Sequence, residues 1–387
     1  MKNLVSIQWP AEQSVTALEI EYLRRAVDSC TWTHGHFARE FEARFAEWLG
    51  VKYALLVPNG TAAVSMSILA LGLRPGEEVI VPAITWPSVI SAITYAGGVP
   101  VCVDIDPNTL CMDPKYVESA ITEKTRLVVA THLYGSQCAV EEILRIAGEN
   151  GVSVIEDVAQ SIGSISSGRT CGSFGEAGAF SLNQKKVLAC GEGGVVTTNN
   201  EFVWSELQRQ HLIDPERDSN GKRMPGTYKV SEFQAAVALA QLAGLDKKLD
   251  AIGRGAQVLR AKLDEHGIVT PQALPPEVGR QSYYNFAFHC PKRVDRAEIE
   301  RKFLEGANLK IRPPYRPLPR VADLFANKAQ GSHHVRKLKE ARVLAANAAY
   351  DWRSYRIPFA CLLADDETIV QLAEFISRVF EEQTRAA

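Results

Sequence analysis

Between residues 53 and 198 the chain repeats one pattern: a short run of apolar and β-branched residues, then a stretch with helical periodicity. The runs fall at 53–57, 78–81, 99–103, 127–130, 152–155, 177–181 and 194–198. Helical segments at 61–71, 88–96, 114–120 and 140–149 separate the earlier ones. This alternation predicts an α/β fold, a mostly parallel seven-stranded sheet with helices on both faces. The runs are apolar almost throughout, as strands covered on both faces must be. Two further helices are predicted before the first strand. One spans 16–29, with Leu18, Tyr22, Leu23 and Val27 on one face, and the other spans 37–49.

After about residue 235 the pattern changes. Helices are predicted at 235–245, 254–266, 296–305 and 366–380, with a strand at 283–288 and a loop rich in proline (Pro313, Pro314, Pro317, Pro319). A chain of 387 residues exceeds one ordinary core. The expectation is a large domain over 1–250 and a smaller α+β domain over 251–387.

Charge narrows the partners. Lysine and arginine number 43 against 45 acidic residues, and no basic block stands out, which argues against nucleic acid and anionic membrane. No apolar run reaches the length of a membrane span, and the first ten residues lack the apolar core of a signal peptide. The eight cysteines are scattered, with no CxxC pair, so reduced thiols in a cytoplasmic protein are expected and a metal site is not.

Chemistry concentrates in two places. The run 152–155 leads into Glu156-Asp157, so a carboxylate ends a strand. Downstream, Ser181-Leu182-Asn183-Gln184-Lys185-Lys186 puts lysines on a polar loop before Gly191-Glu192-Gly193-Gly194, whose glycines permit a hairpin-like return. A strand-end carboxylate and a loop lysine suit pyridoxal 5′-phosphate: the amine condenses with the aldehyde, and the acid keeps the pyridine nitrogen protonated. Each residue also has a plainer reading. Asp157 could cap the next segment, and both lysines could be solvated surface charge. The residues alone do not separate Lys185 from Lys186.

Asn59-Gly60-Thr61-Ala62 follows the first strand and opens a helix, which forms an anion site, or else an ordinary capped turn. Trp86 could lie flat on a pyridine ring or anchor the small domain. Gln160 could donate to a ring hydroxyl, and Ser181 and Asn183 could serve the phosphate loop. Asn59-Gly60-Thr61-Ala62-Ala63 is not the GxGxxG turn of a dinucleotide fold.

These motifs, with Gly35, Phe41-Glu42, Val103-Asp104-Ile105-Asp106-Pro107, His132-Leu133-Tyr134-Gly135 and Tyr228-Lys229-Val230-Ser231-Glu232, resemble the DegT/DnrJ/EryC1/StrS aminotransferases over nearly the whole chain. The resemblance implies a fold-type I pyridoxal phosphate enzyme working as a homodimer with shared active sites. By the same resemblance it would move an amino group from glutamate or glutamine to a keto sugar or keto cyclitol.

The family's cofactor-bonding lysine lies five residues after the phosphate-binding serine, which selects Lys186 from Ser181. Asp157 would pair with the pyridine nitrogen, Gln160 with the ring hydroxyl and Trp86 with the ring face. Gly60 and Thr61 would hold the phosphate, and Lys229 would reach it from the neighbouring subunit. Acceptor contacts are expected from Trp32, His34, Tyr315 and Arg316. Two departures are visible. Thr227-Tyr228-Lys229 stands where many members have Asn-Tyr-Arg, and Pro314-Tyr315-Arg316-Pro317-Leu318-Pro319 lacks both histidines of the nucleotide-sugar members' loop. The Gln184–Gly194 stretch looks more like members acting on keto cyclitols. Dehydratase relatives carry histidine in place of the lysine. A non-catalytic protein of this fold would be expected to have lost Lys186 or Asp157, and both are present.

Overall fold

All seven runs read as strands enter one sheet. The computed structural model describes residues 8–211, 226–275, 278–325 and 337–386. In chain order the strands are β1 (Tyr53–Val57), β2 (Glu78–Pro82), β3 (Val99–Val103), β4 (Thr125–Thr131), β5 (Ser153–Asp157), β6 (Ile165–Ser166), β7 (Arg169–Thr170), β8 (Ala177–Ser181), β9 (Gly194–Thr198), β10 (Thr270–Pro271), β11 (Val278–Arg280), β12 (Asn285–His289) and β13 (Ser354–Pro358). The large sheet runs β1-β9-β8-β5-β4-β2-β3. Every neighbouring pair in it is parallel except the two that β9 makes, which are antiparallel.

The exception follows from the connection. Parallel neighbours need a long crossover, usually a helix. Residues 182–193 are too short for one, so the chain turns back and pairs Ser181 with Gly194. Gly194 also faces Val57, the last residue of β1. Asp157 ends β5 opposite Thr131 of β4 and Ala179 of β8. The register thus brings Asp157, Ser181, Gly194 and the turn after β1 to one edge, where the parallel strands end. Ligands of open α/β sheets bind at that edge.

Alternate residues along the strands feed cores on opposite faces. Val79, Val81, Leu127 and Val129 pack with the helix Gly60–Ala70, while Ile80, Val128, Ala130 and Val154 pack with Val140 and Ile143. A third core joins Phe41, Phe45 and Phe180 to the C-terminal helices through Leu249, Phe303 and Phe380. Beneath the Asp157 edge, fully buried Glu156 accepts bonds from the N–H groups of Gly172, Phe174 and Gly175 and pairs with His132 Nε2 at 3.0 Å. Burial opposes its charge, but His132 and these amides hold its pKa below the usual carboxylate range.

Several local expectations need correction. On the first helix, Ala17–Asp28, Val27 is exposed, whereas Glu19 and Ala26 are buried. Glu19 accepts from the Thr16 N–H and from Gln241 Nε2, so a bonded polar side chain takes a place read as apolar. The helix Glu232–Ala243 starts earlier than predicted because Ser231 and Gln234 form a capping box. Helix Leu245–His266 starts well before the predicted residue 254. β13, together with the small sheet β11-β6-β7, went unpredicted. β13 joins β10 and β12 in the C-terminal sheet.

Candidate active site

A cavity of about 800 Å³ opens at the strand-end edge, lined there by Gly60, Thr61, Asp157, Gln160, Ser181 and Lys186. After β1 the chain turns at Asn59, whose side chain caps the next helix by accepting from the Ala62 N–H at 2.9 Å. The first N–H groups of a helix have no intrahelical partner, so those of Gly60 and Thr61 are available to an anion. Gly60 cannot carry a side chain: a Cβ there would lie 2.8 Å from Cβ of Ser181. The serine hydroxyl and the helix terminus therefore meet in one cradle.

Lys186 lines the cavity half-buried, its Nζ 4.3 Å from the centre of the Tyr284 ring. Its pKa is lowered to about 8, mainly by burial, against the pull of Asp157 and with a further push from Arg356. Lys185 also lines the cavity, but its side chain is exposed. The loop that carries Lys186 is fixed through its backbone. Gln13 Nε2 donates to the carbonyls of Gln184 and Lys186 at 3.0 and 2.5 Å. Lys248 Nζ places its three N–H bonds on the Val187 carbonyl (2.8 Å), the Glu12 carbonyl (2.8 Å) and Gln13 Oε1 (2.9 Å). Among the described residues no carboxylate pairs with this ammonium group, and burial lowers its pKa to about 8.

Asp157 is 7% exposed. Burial raises its pKa, although the Ala159 N–H, Lys186 and the Thr131 hydroxyl all favour the charged form. Gln160 is buried too. It accepts from the Tyr134 N–H and donates to the Tyr315 hydroxyl, each at 3.4 Å. Trp86 lines the cavity while 57% exposed, and meets the Tyr315 ring edge-to-face at 5.5 Å. Asn183 lines the cavity and donates to Glu192 Oε1 at 2.7 Å.

Four expected site residues do not line this cavity. Trp32 and His34 lie on a segment paired with residues 230–232, where the Trp32 carbonyl accepts from the Glu232 N–H and the His34 N–H donates to Val230. The His34 ring sits 4.5 Å from His211. Burial lowers the pKa of both histidines, that of His211 to about 4, and the charge of Lys229 adds to both shifts. Lys229 directly precedes Val230, whose carbonyl accepts from the His34 N–H. Arg316 is exposed and lies 5.9 Å from the Tyr350 ring.

Conversely, sequence reading missed Asn285 of β12 and Tyr284 just before it, Arg356 of β13, and Glu12, Lys310 and Arg312. The run 283–288 was legible as a strand, but nothing in it showed which end would meet Lys186.

The chemistry of this set fits pyridoxal phosphate. A cradle too tight for a Cβ and formed by N–H and hydroxyl groups suits the phosphate. A buried carboxylate with a raised pKa suits a protonated ring nitrogen. An amine with a lowered pKa suits an aldehyde. That amine predicts a pH profile in the cofactor-free protein. Competitive labelling of Lys186 with an amine-reactive reagent should rise about tenfold per pH unit and level off near pH 8, once most of the amine is neutral. A profile still climbing two units above that value would contradict the burial described.

Comparison with known proteins places these residues in context. The profile of the DegT/DnrJ/EryC1/StrS aminotransferase family matches residues 13–348. GDP-perosamine synthase of Caulobacter vibrioides is 32% identical over 305 residues, 78% of this chain and 82% of the relative. L-glutamine:2-deoxy-scyllo-inosose aminotransferase of Streptoalloteichus tenebrarius is 31% identical over 405 aligned residues, covering 96% and 94%. The crystal structure of 3-amino-5-hydroxybenzoic acid synthase superposes with a TM-score of 0.88 at 27% identity, covering 97% of this chain and 99% of that one.

Proposed function

The chain belongs to the DegT/DnrJ/EryC1/StrS aminotransferase family, and from that premise we propose that it uses pyridoxal 5′-phosphate to carry an amino group from glutamate or glutamine to a keto sugar or keto cyclitol. Its relatives are aminotransferases of amino sugars and aminocyclitols, and it is an aminotransferase of that kind. The observation that carries the cofactor assignment is the shared cavity: Lys186 and Asp157 line it together, close enough for each to shift the other's ionisation.

When bound, the cofactor supplies an electrophilic carbon and a ring that withdraws electrons from the substrate carbon. The protein does the rest. The N–H groups of Gly60 and Thr61 and the Ser181 hydroxyl anchor the phosphate. The Asp157 carboxylate holds a proton on the ring nitrogen through a charge-assisted bond. Gln160 would hold the ring hydroxyl, and Trp86 would stack on the ring. Lys186 Nζ takes a proton from the substrate carbon in one half-reaction and returns it in the other, a task suited to a pKa of about 8.

Trp32, His34 and Lys229 lie together but outside their own chain's cavity. That arrangement supports a homodimer in which they complete the neighbour's site. Tyr315 faces the acceptor. The eight cysteines are free thiols, which supports a reducing cytoplasm. Among the described residues no helix is long and apolar enough to cross a membrane.

The test is a half-reaction. Protein loaded with pyridoxal phosphate is mixed with glutamate or glutamine, and the cofactor absorbance is followed to the amine form. Keto sugars and keto cyclitols are then screened for its reversal. Should neither donor convert the cofactor, the aminotransferase reading would be wrong for this chain.

A further inference from the structure

The cavity contains cations that the transamination chemistry leaves unused. Arg312 and Arg356 face each other across an isolated antiparallel bridge, with reciprocal backbone bonds of 3.1 and 2.8 Å. Directly opposed residues of such a pair share a face, and like charges there repel. Both line the cavity, as does Lys310, two residues before Arg312 and thus on the same side of the extended segment. Among the described residues none of the three forms a salt bridge with a carboxylate. Arg356 is held by neutral groups, its Nε on the Pro313 carbonyl (3.1 Å) and an Nη on Asn285 Oδ1 (2.9 Å). Asn285 is 4% exposed and lines the same cavity, and its Nδ2 donor is buried without a partner. The other acids facing the cavity are Glu12 and Glu192, besides Asp157, and Glu192 is already bonded to Asn183.

An unsatisfied buried donor in a cavity that also presents three cations without carboxylate partners suits an anionic ligand. We propose that Lys310, Arg312, Arg356 and Asn285 form a subsite for an anionic group on the amino acceptor, so that the preferred ketone carries a carboxylate or phosphate. This rests on the aminotransferase reading above and narrows its substrate class. The acceptor is favoured over the donor by position. The donor's α-carboxylate sits on the carbon that bears the amine, beside Lys186, and any use of Lys310 and Arg312 by the second carboxylate of glutamate is read directly in the donor half-reaction. Of the three cations only Arg356 acts on the ionisation of Lys186. Lys310 and Arg312 are exposed side chains that serve the part of a ligand away from the reacting atom. A neutral keto cyclitol has no use for them.

The experiment compares the wild type, loaded with pyridoxal phosphate, with the K310Q/R312Q double variant, in which both changed side chains are exposed. Calorimetry measures binding of uridine diphosphate, of cyclohexanecarboxylate and, as a neutral control, of scyllo-inositol. Kinetics then follow the donor half-reaction and the return half-reaction with a nucleoside-diphosphate keto sugar, 3-oxocyclohexanecarboxylate and scyllo-inosose.

The expected result is that one anionic class binds and reacts best. The double variant should lose about 10- to 100-fold in affinity and in kcat/KM for it, the worth of one or two charge-assisted bonds. Its donor half-reaction should change by less than about twofold. Whether the phosphate or the carboxylate probe responds identifies the group. A wild type that handles scyllo-inosose as well as the anionic ketones overturns the proposal, as does a double variant impaired only with the donor. If no donor converts the cofactor, the function reading fails, and the calorimetric comparison still decides the anion subsite.

Discussion

Replacing Lys186 with alanine is expected to abolish covalent attachment of the cofactor and to lower the donor half-reaction by at least about 10²–10⁴-fold, the range for losing a positioned proton-transfer group. Replacing Lys185 should preserve both. The contrast is physical. Adjacent residues on one loop differ in burial: Lys186 is pressed against Tyr284 with its pKa lowered to about 8, and the Lys185 side chain, at the same cavity, is exposed. Reduction with borohydride and peptide mass mapping locate the modified lysine. Recovery of the label on Lys185 in the wild type would reverse the assignment.

Asp157→Asn should push function and stability in opposite directions. The neutral amide cannot hold the ring nitrogen's proton by a charge-assisted bond, so cofactor affinity should fall about 10- to 100-fold and activity further. Without cofactor the variant should melt at a higher temperature than the wild type at neutral pH. Burial raises the Asp157 pKa, so the folded state binds this proton more tightly than the unfolded state does. The resulting stability is present below the unfolded carboxylate value and lost as pH rises through the folded one. The wild type thus bears this cost at neutral pH, and the gap between the two proteins should close on acidification toward the unfolded carboxylate value. Thermal unfolding of both cofactor-free proteins over that range measures it. An Asn variant less stable than the wild type at pH 7 would mean that Asp157 is a structural anion and not one waiting for a cation.

Which residues could be found in advance follows from how local their signals are. Asn59-Gly60-Thr61 is a capped helix start after a strand, and Ser181 to Gly194 is a strand, a loop and a return. Both are built from neighbours in sequence, so spacing alone exposed them. Trp32 and His34 were named as acceptor contacts, and their backbone, paired with residues 230–232, holds them outside their own chain's cavity, with the His34 ring against His211. Arg316 was named from its loop, but its side chain runs over Tyr350 and not into the cavity. Lys248 had no sequence signal. A lysine in a long helix reads as surface charge, and only its contacts with residues 12, 13 and 187 show it holding the catalytic loop.

By itself the sequence determined the succession of strands and helices, the anion-binding turn after β1, and the pairing of a strand-end acid with a loop lysine. Each of these depends on periodicity, capping or short spacing, which act within about a dozen residues. The tertiary structure alone decided which lysine is desolvated, that Asp157 is buried, and that Arg312, Arg356 and Asn285 line one cavity, with Arg356 bonded to Asn285. Those properties belong to groups far apart in the chain. Burial and electrostatic potential at a side chain are set by whatever packs around it, and that is fixed only once the sheet order has brought the distant segments together.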